Sequence, residues 1–280
     1  MSRSPSVLLS GLSFPEAPRW HEGVLWFSDF YKHAVQSVDL SGRVEQRAEV
    51  PGRPSGIGFT PDGGFLVVSM LDRKVLRFDP AGGSSVHADL GAFAGGPCND
   101  MVVLSSGEAY VGNFGYDKNN GAPLRATCLV HLSAAGEPRE VARDLVFPNG
   151  MAVSADQRTL LVAETFAGRV TAFDRGRDGS LDNRRVVAAQ DGFNPDGLCL
   201  DAEGAVWVAD ATGHRVVRIM PDGSFAEQIG TGERHAFACA LGGDDRRTLF
   251  ICTNTGAGHQ MASKRDGRIE IVGVDTPGLP

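Results

Sequence analysis

The chain has 280 residues, 42% of them hydrophobic, with Lys+Arg 27 against Asp+Glu 34 and a formal net charge of −7. An acidic balance without a basic cluster argues against nucleic acid or an anionic membrane as partner. No apolar run approaches the roughly 18 residues of a membrane span, and five cysteines without paired spacing point to reduced thiols in a cytoplasm.

The first predicted element, Ser6 to Ser10, is a short edge strand, too brief and interrupted for a signal-peptide core. From Glu16 onward one pattern is repeated six times. Starting at Glu16, Ser55, Asn99, Asn149, Asp196 and Phe237, the next four residues are APRW, GIGF, DMVV, GMAV, GLCL and ACAL. After a turn each start is followed by a second β-rich run: VLWFSD, FLVVSM, EAYVGN, TLLVAE, AVWVAD and TLFICT. The starts lie about 39, 44, 50, 47 and 41 residues apart by residue number. Periods near 40 residues with strands and no helical pattern are the signature of a propeller blade.

Third and fourth strands complete each unit, as alternating apolar residues bounded by Gly, Asp and Pro. They are expected at 34–39 and 44–50, 75–79 and 85–89, 128–132 and 139–142, 169–173 and 185–188, and 215–219 and 225–229. The sixth unit has a third strand at 268–272 and no fourth. The spare N-terminal strand therefore completes the last blade and closes the ring, leaving no open edge. Residues 1–280 read as one all-β domain, a six-bladed β-propeller. One long connection, Phe114 to Thr127, separates strands two and three of the third unit; loops of that length are usually functional or mobile.

The first strand of a blade lines the central channel, so the six repeat starts form a ring at one mouth: Glu16, Ser55, Asn99, Asn149, Asp196 and Phe237. Two carboxylates and two amides at one depth repel and dehydrate each other unless a cation balances them. All the donors are oxygens, which favours a hard divalent ion: calcium first, with magnesium, manganese or zinc as alternatives. Pro-Asp-Gly is also a plain turn signal. Pro61-Asp62-Gly63 and Pro221-Asp222-Gly223 lie where a hairpin turn belongs, whereas Pro195-Asp196-Gly197 precedes an innermost strand, in phase with Pro148-Asn149-Gly150 and Pro15-Glu16-Ala17. Asp100 competes with Asn99 for its role. Cys199, Cys239 and Cys252 fall inside strands, while Cys98 sits one residue before a repeat start and is the thiol nearest the site. His33 and His214 begin third strands and read as structural; His235 and His259 are expected near the mouth. There is no G-x-S-x-G elbow, P-loop or dinucleotide fingerprint.

Phe14-Pro15-Glu16-Ala17-Pro18-Arg19-Trp20, Phe147-Pro148-Asn149-Gly150-Met151, Asn183-Arg184-Arg185 and Pro195-Asp196-Gly197-Leu198-Cys199-Leu200-Asp201 together resemble the gluconolactonase/regucalcin (senescence marker protein) family, essentially end to end. The resemblance implies a six-bladed propeller with one divalent metal in the channel mouth and hydrolysis of lactones. Carried over by motif, Glu16, Asn149 and Asp196 are the implied metal ligands, with Asn99 as a further ligand or substrate contact. Asp196 resembles the family's general base; whether it is ligand, base or both stays open. Sugar-lactone members of the family carry an Arg two residues before the position of Asn99, where this chain has Pro97, while their acidic sugar contact falls near Asp117.

The loops between strands two and three contribute Phe30, Tyr31, Met70, Phe114, Tyr116 and Phe166, so Tyr31, Phe114, Tyr116, Phe166 and Asp117 join Asn99 as expected substrate contacts. A small-molecule substrate with an apolar or aromatic body suits such walls better than a simple aldonolactone. Two other readings stand beside the lactonase: hydrolysis or lysis of an aryl ester or phosphotriester on the same metal, and a non-catalytic, metal-binding propeller.

Overall fold

Each of the six repeated units forms a four-stranded antiparallel sheet in the computed structural model, which describes residues 3–117 and 120–279. Lys118 and Asn119 of the long third-unit connection lie outside the described residues. The first blade runs in order from the axis outward as Pro15–His21, Val24–Asp29, Ala34–Val38 and Val44–Glu49. Its third strand is buried throughout and its second mostly so, while the outermost strand, VEQRAE, is largely polar and exposed apart from buried Ala48. That gradient is what a radial sheet packed between two neighbours requires.

The six-bladed propeller read from the sequence is therefore the observed architecture. Ser6–Leu12 pairs antiparallel with Gly267–Gly273, from Ser6 against Ile271 to Leu12 against Gly267, and supplies the outer strand of the sixth blade. Strand boundaries agree with the sequence pattern to within a few residues. The largest difference is Leu181–Ala189, which begins four residues before its apolar run. Asp182 and Leu181 pair with Asp174 and Arg175 there, and that pairing owes nothing to local hydrophobic alternation. Helix is almost absent among the described residues; Met261–Lys264 forms a single turn.

The core lies between blades. Trp207 of the fifth blade, fully buried, packs in one cluster with Cys239, Leu249 and Ile251 of the sixth. Burying a large side chain of this kind is worth about 1.5–3 kcal/mol over leaving it in water.

Toward the axis the inner strands Pro15–His21, Pro54–Phe59, Cys98–Val103, Pro148–Val153, Pro195–Leu200 and His235–Gly242 surround the channel. Their crowding explains the glycine after three of the repeat starts. A Cβ on Gly150 would lie 2.6 Å from the Cα of Gly197, and one on Gly197 would lie 2.6 Å from the Cα of Ala238. No side chain fits between backbones that close.

Candidate metal centre and active site

Every inner strand breaks register with its neighbour at the repeat start. The irregularities fall between Glu16 and Arg19, Pro54 and Ile57, Cys98 and Met101, Pro148 and Met151, Pro195 and Leu198, and Ala236 and Ala238. A bulge re-aims the side chain it contains. Here it turns Glu16, Asn99, Asn149, Asp196 and Phe237 into one cavity of about 660 Å³ at the mouth of the channel. Ser55 sits just beneath, its hydroxyl donating to Asn99 Oδ1 at 3.3 Å.

Buried polar residues that end the second strands hold the turns leading into this ring. Asp29 accepts from the Phe14 amide at 2.8 Å, Glu164 from the Val146 amide at 2.9 Å, and Asp210 from the Asn194 amide at 3.1 Å. Asn254 donates to the Ser13 carbonyl at 2.9 Å, tying the sixth blade to the first. The acids that close VLWFSD, TLLVAE and AVWVAD are thus scaffold for the ring.

Within the ring, hydrogen bonds link the third blade to the fourth and tie the fourth blade's ring amide to the end of its own second strand. Asn99 Nδ2 donates to Asn149 Oδ1 at 2.7 Å, and Asn149 Nδ2 donates to Thr165 Oγ1 at 3.2 Å. Asn99, Asn149 and Asp196 are 5%, 5% and 6% exposed. Glu16 is held well above the ordinary carboxylate range, first by burial and then by the Asp196 carboxylate, against the opposing Ala17 amide and Arg19. A carboxyl whose ionisation is opposed by burial and by a neighbouring carboxylate is a site that a cation would neutralise. Asp100 does not compete with Asn99, because Arg19 Nη2 binds it at 2.9 Å and the Met101 amide at 2.8 Å.

The donor set fits a hard divalent ion: two carboxylates and two amides, all offering oxygen. Among the described residues no three His, Cys, Asp or Glu side chains converge on one point, so the amides must complete any such shell. That composition suits calcium better than zinc, which prefers nitrogen and sulfur.

Around the ring stand aromatic walls. Phe14 lies 4.7 Å from Phe237 between ring centroids and 5.2 Å from Phe30; Phe147 lies 4.2 Å from Phe114 and 4.9 Å from Phe166. Of the loop residues expected at the mouth, Phe30, Tyr31, Met70, Phe114 and Phe166 line the cavity. Tyr116 and Asp117 are not brought to it: Tyr116 is buried, and Asp117 accepts from Asn120 Nδ2 at 2.6 Å within its own loop. Cys98 is fully buried and its thiol is pushed up to about 12, chiefly by that burial. His235 and His259 do reach the cavity. His235 Nδ1 stands 2.6 Å from the Ala211 carbonyl, an acceptor only, so Nδ1 carries a proton.

Arg53, Phe147 and Asn194 also line the cavity and were not singled out by sequence reasoning. The signal was present. Residues two positions before each ring member, Phe14, Arg53, Pro97, Phe147, Asn194 and His235, form a second ring around the opening, and all six line it.

Residues 14–255 match the family model described as SMP-30/Gluconolactonase/LRE-like region. Regucalcin of Xenopus laevis is 31% identical over 275 residues, covering 94% of this chain and 92% of its own. The 6-deoxy-6-sulfogluconolactonase of Pseudomonas putida is 27% identical over 264 residues, covering 90% of this chain and 85% of its own. Among solved structures, the calcium-binding protein regucalcin of Agrobacterium tumefaciens superposes with a TM-score of 0.82 at 21% identity, covering 100% of this chain and 95% of that one.

Proposed function

The chain belongs to the SMP-30/gluconolactonase/LRE-like family, and from that premise we propose that it hydrolyses a lactone at the propeller mouth, with one divalent cation held by Glu16, Asn149 and Asp196. The observation that carries this reading is the convergence of buried Asp196, half-buried Glu16 and two linked amides in an aromatic-walled cavity. A site that only received a neutral small molecule would have no use for the two acids.

When bound there, the cation supplies Lewis-acid polarisation of the lactone carbonyl and lowers the pKa of water beside it. The protein's own groups do the rest. Asp196 takes a proton from the attacking water as its oxygen bonds to the carbonyl carbon. As the ring C–O bond breaks, Asp196 returns that proton to the leaving oxygen, and the product is the hydroxy acid. Asn99 holds the Asn149 amide through its Nδ2 donor, while its own side-chain oxygen accepts from the Ser55 hydroxyl. The aromatic walls exclude water from the substrate body and favour an apolar or aryl-bearing lactone over a simple aldonolactone.

Relatives named regucalcin, one of them described as calcium-binding, support calcium as the ion. Five free cysteines support a cytoplasmic location. No helix among the described residues is long and apolar enough to cross a membrane. The same walls also suit an aryl ester, so rates on matched lactones and aryl esters decide between the two substrates. Chelation should abolish hydrolysis of a phenyl-substituted γ-butyrolactone and added calcium should restore it. Asp196→Asn should lower kcat about a thousandfold with the fold intact. Full turnover after both treatments would overturn the proposal.

A further inference from the structure

We propose that Arg53 is the specificity-determining residue of the cavity and that the substrate carries an oxyanion, a carboxylate or sulfonate, on its apolar body. The inference deepens the lactonase reading and rests on it for the identity of the reacting group.

Arg53 is the one permanent cation among the described residues that line the cavity, and Glu16 and Asp196 are the only acids there. Other arginines near the blade ends are committed to carboxylates: Arg169 and Arg184 to Glu164 at 2.9 and 3.0 Å, Arg215 to Asp210 at 3.0 Å, and Arg218 to Asp201 at 2.7 Å. Arg53 has no ion-pair partner among the described residues, and its Nε is buried without a hydrogen-bond acceptor. The nearby acid Asp72 accepts instead from Ser69 Oγ at 2.6 Å.

The backbone aims the side chain. Arg53 has φ +72°, a left-handed conformation that a residue with a Cβ rarely adopts. It is held there by its amide, which donates to the Val50 carbonyl at 3.0 Å, and by the Met70 amide, which donates to its carbonyl at 2.9 Å. The guanidinium carbon then sits 4.8 Å from the centroid of the Tyr31 ring. A guanidinium over an aromatic ring keeps its terminal nitrogens available to an oxyanion. Charge points the same way. A divalent cation would balance Glu16 and Asp196, leaving the charge of Arg53 without an acid in a cavity whose remaining lining is uncharged apart from its two histidines. The terminal nitrogens of Arg53 are not among the buried atoms and have no acceptor among the described residues, so an anionic substituent on the substrate can pair with them.

The test compares a γ-(4-carboxyphenyl)-γ-butyrolactone with its methyl ester in wild type, Arg53→Met and Arg53→Lys. Wild type should favour the acid by about tenfold or more in kcat/KM, mainly through KM, as expected for a hydrogen-bonded charge pair. In Arg53→Met that ratio should fall to near one, and Arg53→Lys, which keeps charge but not the fork, should lie between. Arg53→Gln is read in the same way should the methionine variant not fold. A wild-type ratio near one, or a ratio unchanged in Arg53→Met, would overturn the inference.

Binding of 4-ethylbenzoate and its amide, followed by calorimetry without turnover, separates the two proposals. If wild type opens neither lactone but binds the benzoate at least tenfold more tightly than the amide, and Arg53→Met does not, the lactonase reading fails and the role of Arg53 stands. Equal binding of both probes by wild type sinks the role of Arg53 whatever the enzyme hydrolyses.

Discussion

Asn99 of the third blade donates to the side-chain oxygen of Asn149 of the fourth at 2.7 Å, so two candidate ligands are coupled across the seam between sheets. Neither amide is oriented by its own blade alone. Cutting this bond should loosen Asn149 without unfolding either blade. Asn99→Ala is expected to lower calcium affinity or kcat/KM by about 10- to 100-fold, the usual effect of removing an orienting partner. Asn149→Ala should weaken calcium binding further. Calorimetric calcium titrations of the two variants check this; wild-type affinity in both would mean that the ring holds no cation.

Glu164 is the most heavily bonded carboxylate near the site, fully buried, with Arg169, Arg184, Thr171 and the Val146 amide all donating to it. Burial pushes its pKa up, but the hydrogen bonds from Arg169, Thr171 and Val146 outweigh that, and the net shift is downward. A carboxyl with a depressed folded pKa contributes its full stability above its unfolded pKa of about 4.3 and loses it as pH falls through the lower folded value. Glu164→Gln should therefore cost about 2–4 kcal/mol at neutral pH, somewhat less than a fully buried pair because both arginines keep contact with water. Urea unfolding from pH 7 down to pH 3 should show a constant gap between wild type and variant until about pH 4, then a narrowing one. A gap that widened in acid would contradict the ionised state of Glu164.

The thiols should be nearly inert in the native protein. Burial holds Cys98, Cys128, Cys239 and Cys252 above the ordinary thiol range, and only Cys199 is partly exposed. Titration with a thiol reagent at pH 8 should find at most one reactive group before denaturation and all five after it. Rapid native labelling of Cys98 would show that the floor of the cavity opens.

Closure by the N-terminal strand should be required for solubility. Removing residues 1–12 uncovers the Gly267–Gly273 edge and the apolar groups that Leu8, Leu9 and Leu12 cover. An unpaired, flat strand beside exposed leucines is a template for association. Size-exclusion chromatography of the truncated chain should show aggregates or large oligomers; a stable monomer with the wild-type unfolding midpoint would argue against this role.

Much of the site was legible because its determinants are local and periodic. Repeated apolar runs with Gly and Asp turns identify the blades, and the phase of Pro15-Glu16, Pro148-Asn149 and Pro195-Asp196 against the inner strands marks the ring without any long-range information. Tyr116 and Asp117 illustrate where this stops. They belong to the right loop, yet the fold of that loop buries the one and bonds the other to Asn120.

The sequence by itself determined the wheel, its closure and the identity of the ring residues, since strand alternation and turn chemistry are written in neighbouring positions. The tertiary structure alone decided which side chains share the cavity and which are already taken by a partner. Arg53 looks like any surface arginine until three-dimensional packing assigns Glu164, Asp201 and Asp210 to other arginines and leaves it against Tyr31 without an acid. Pairing of charges across blades depends on distances that no local pattern encodes.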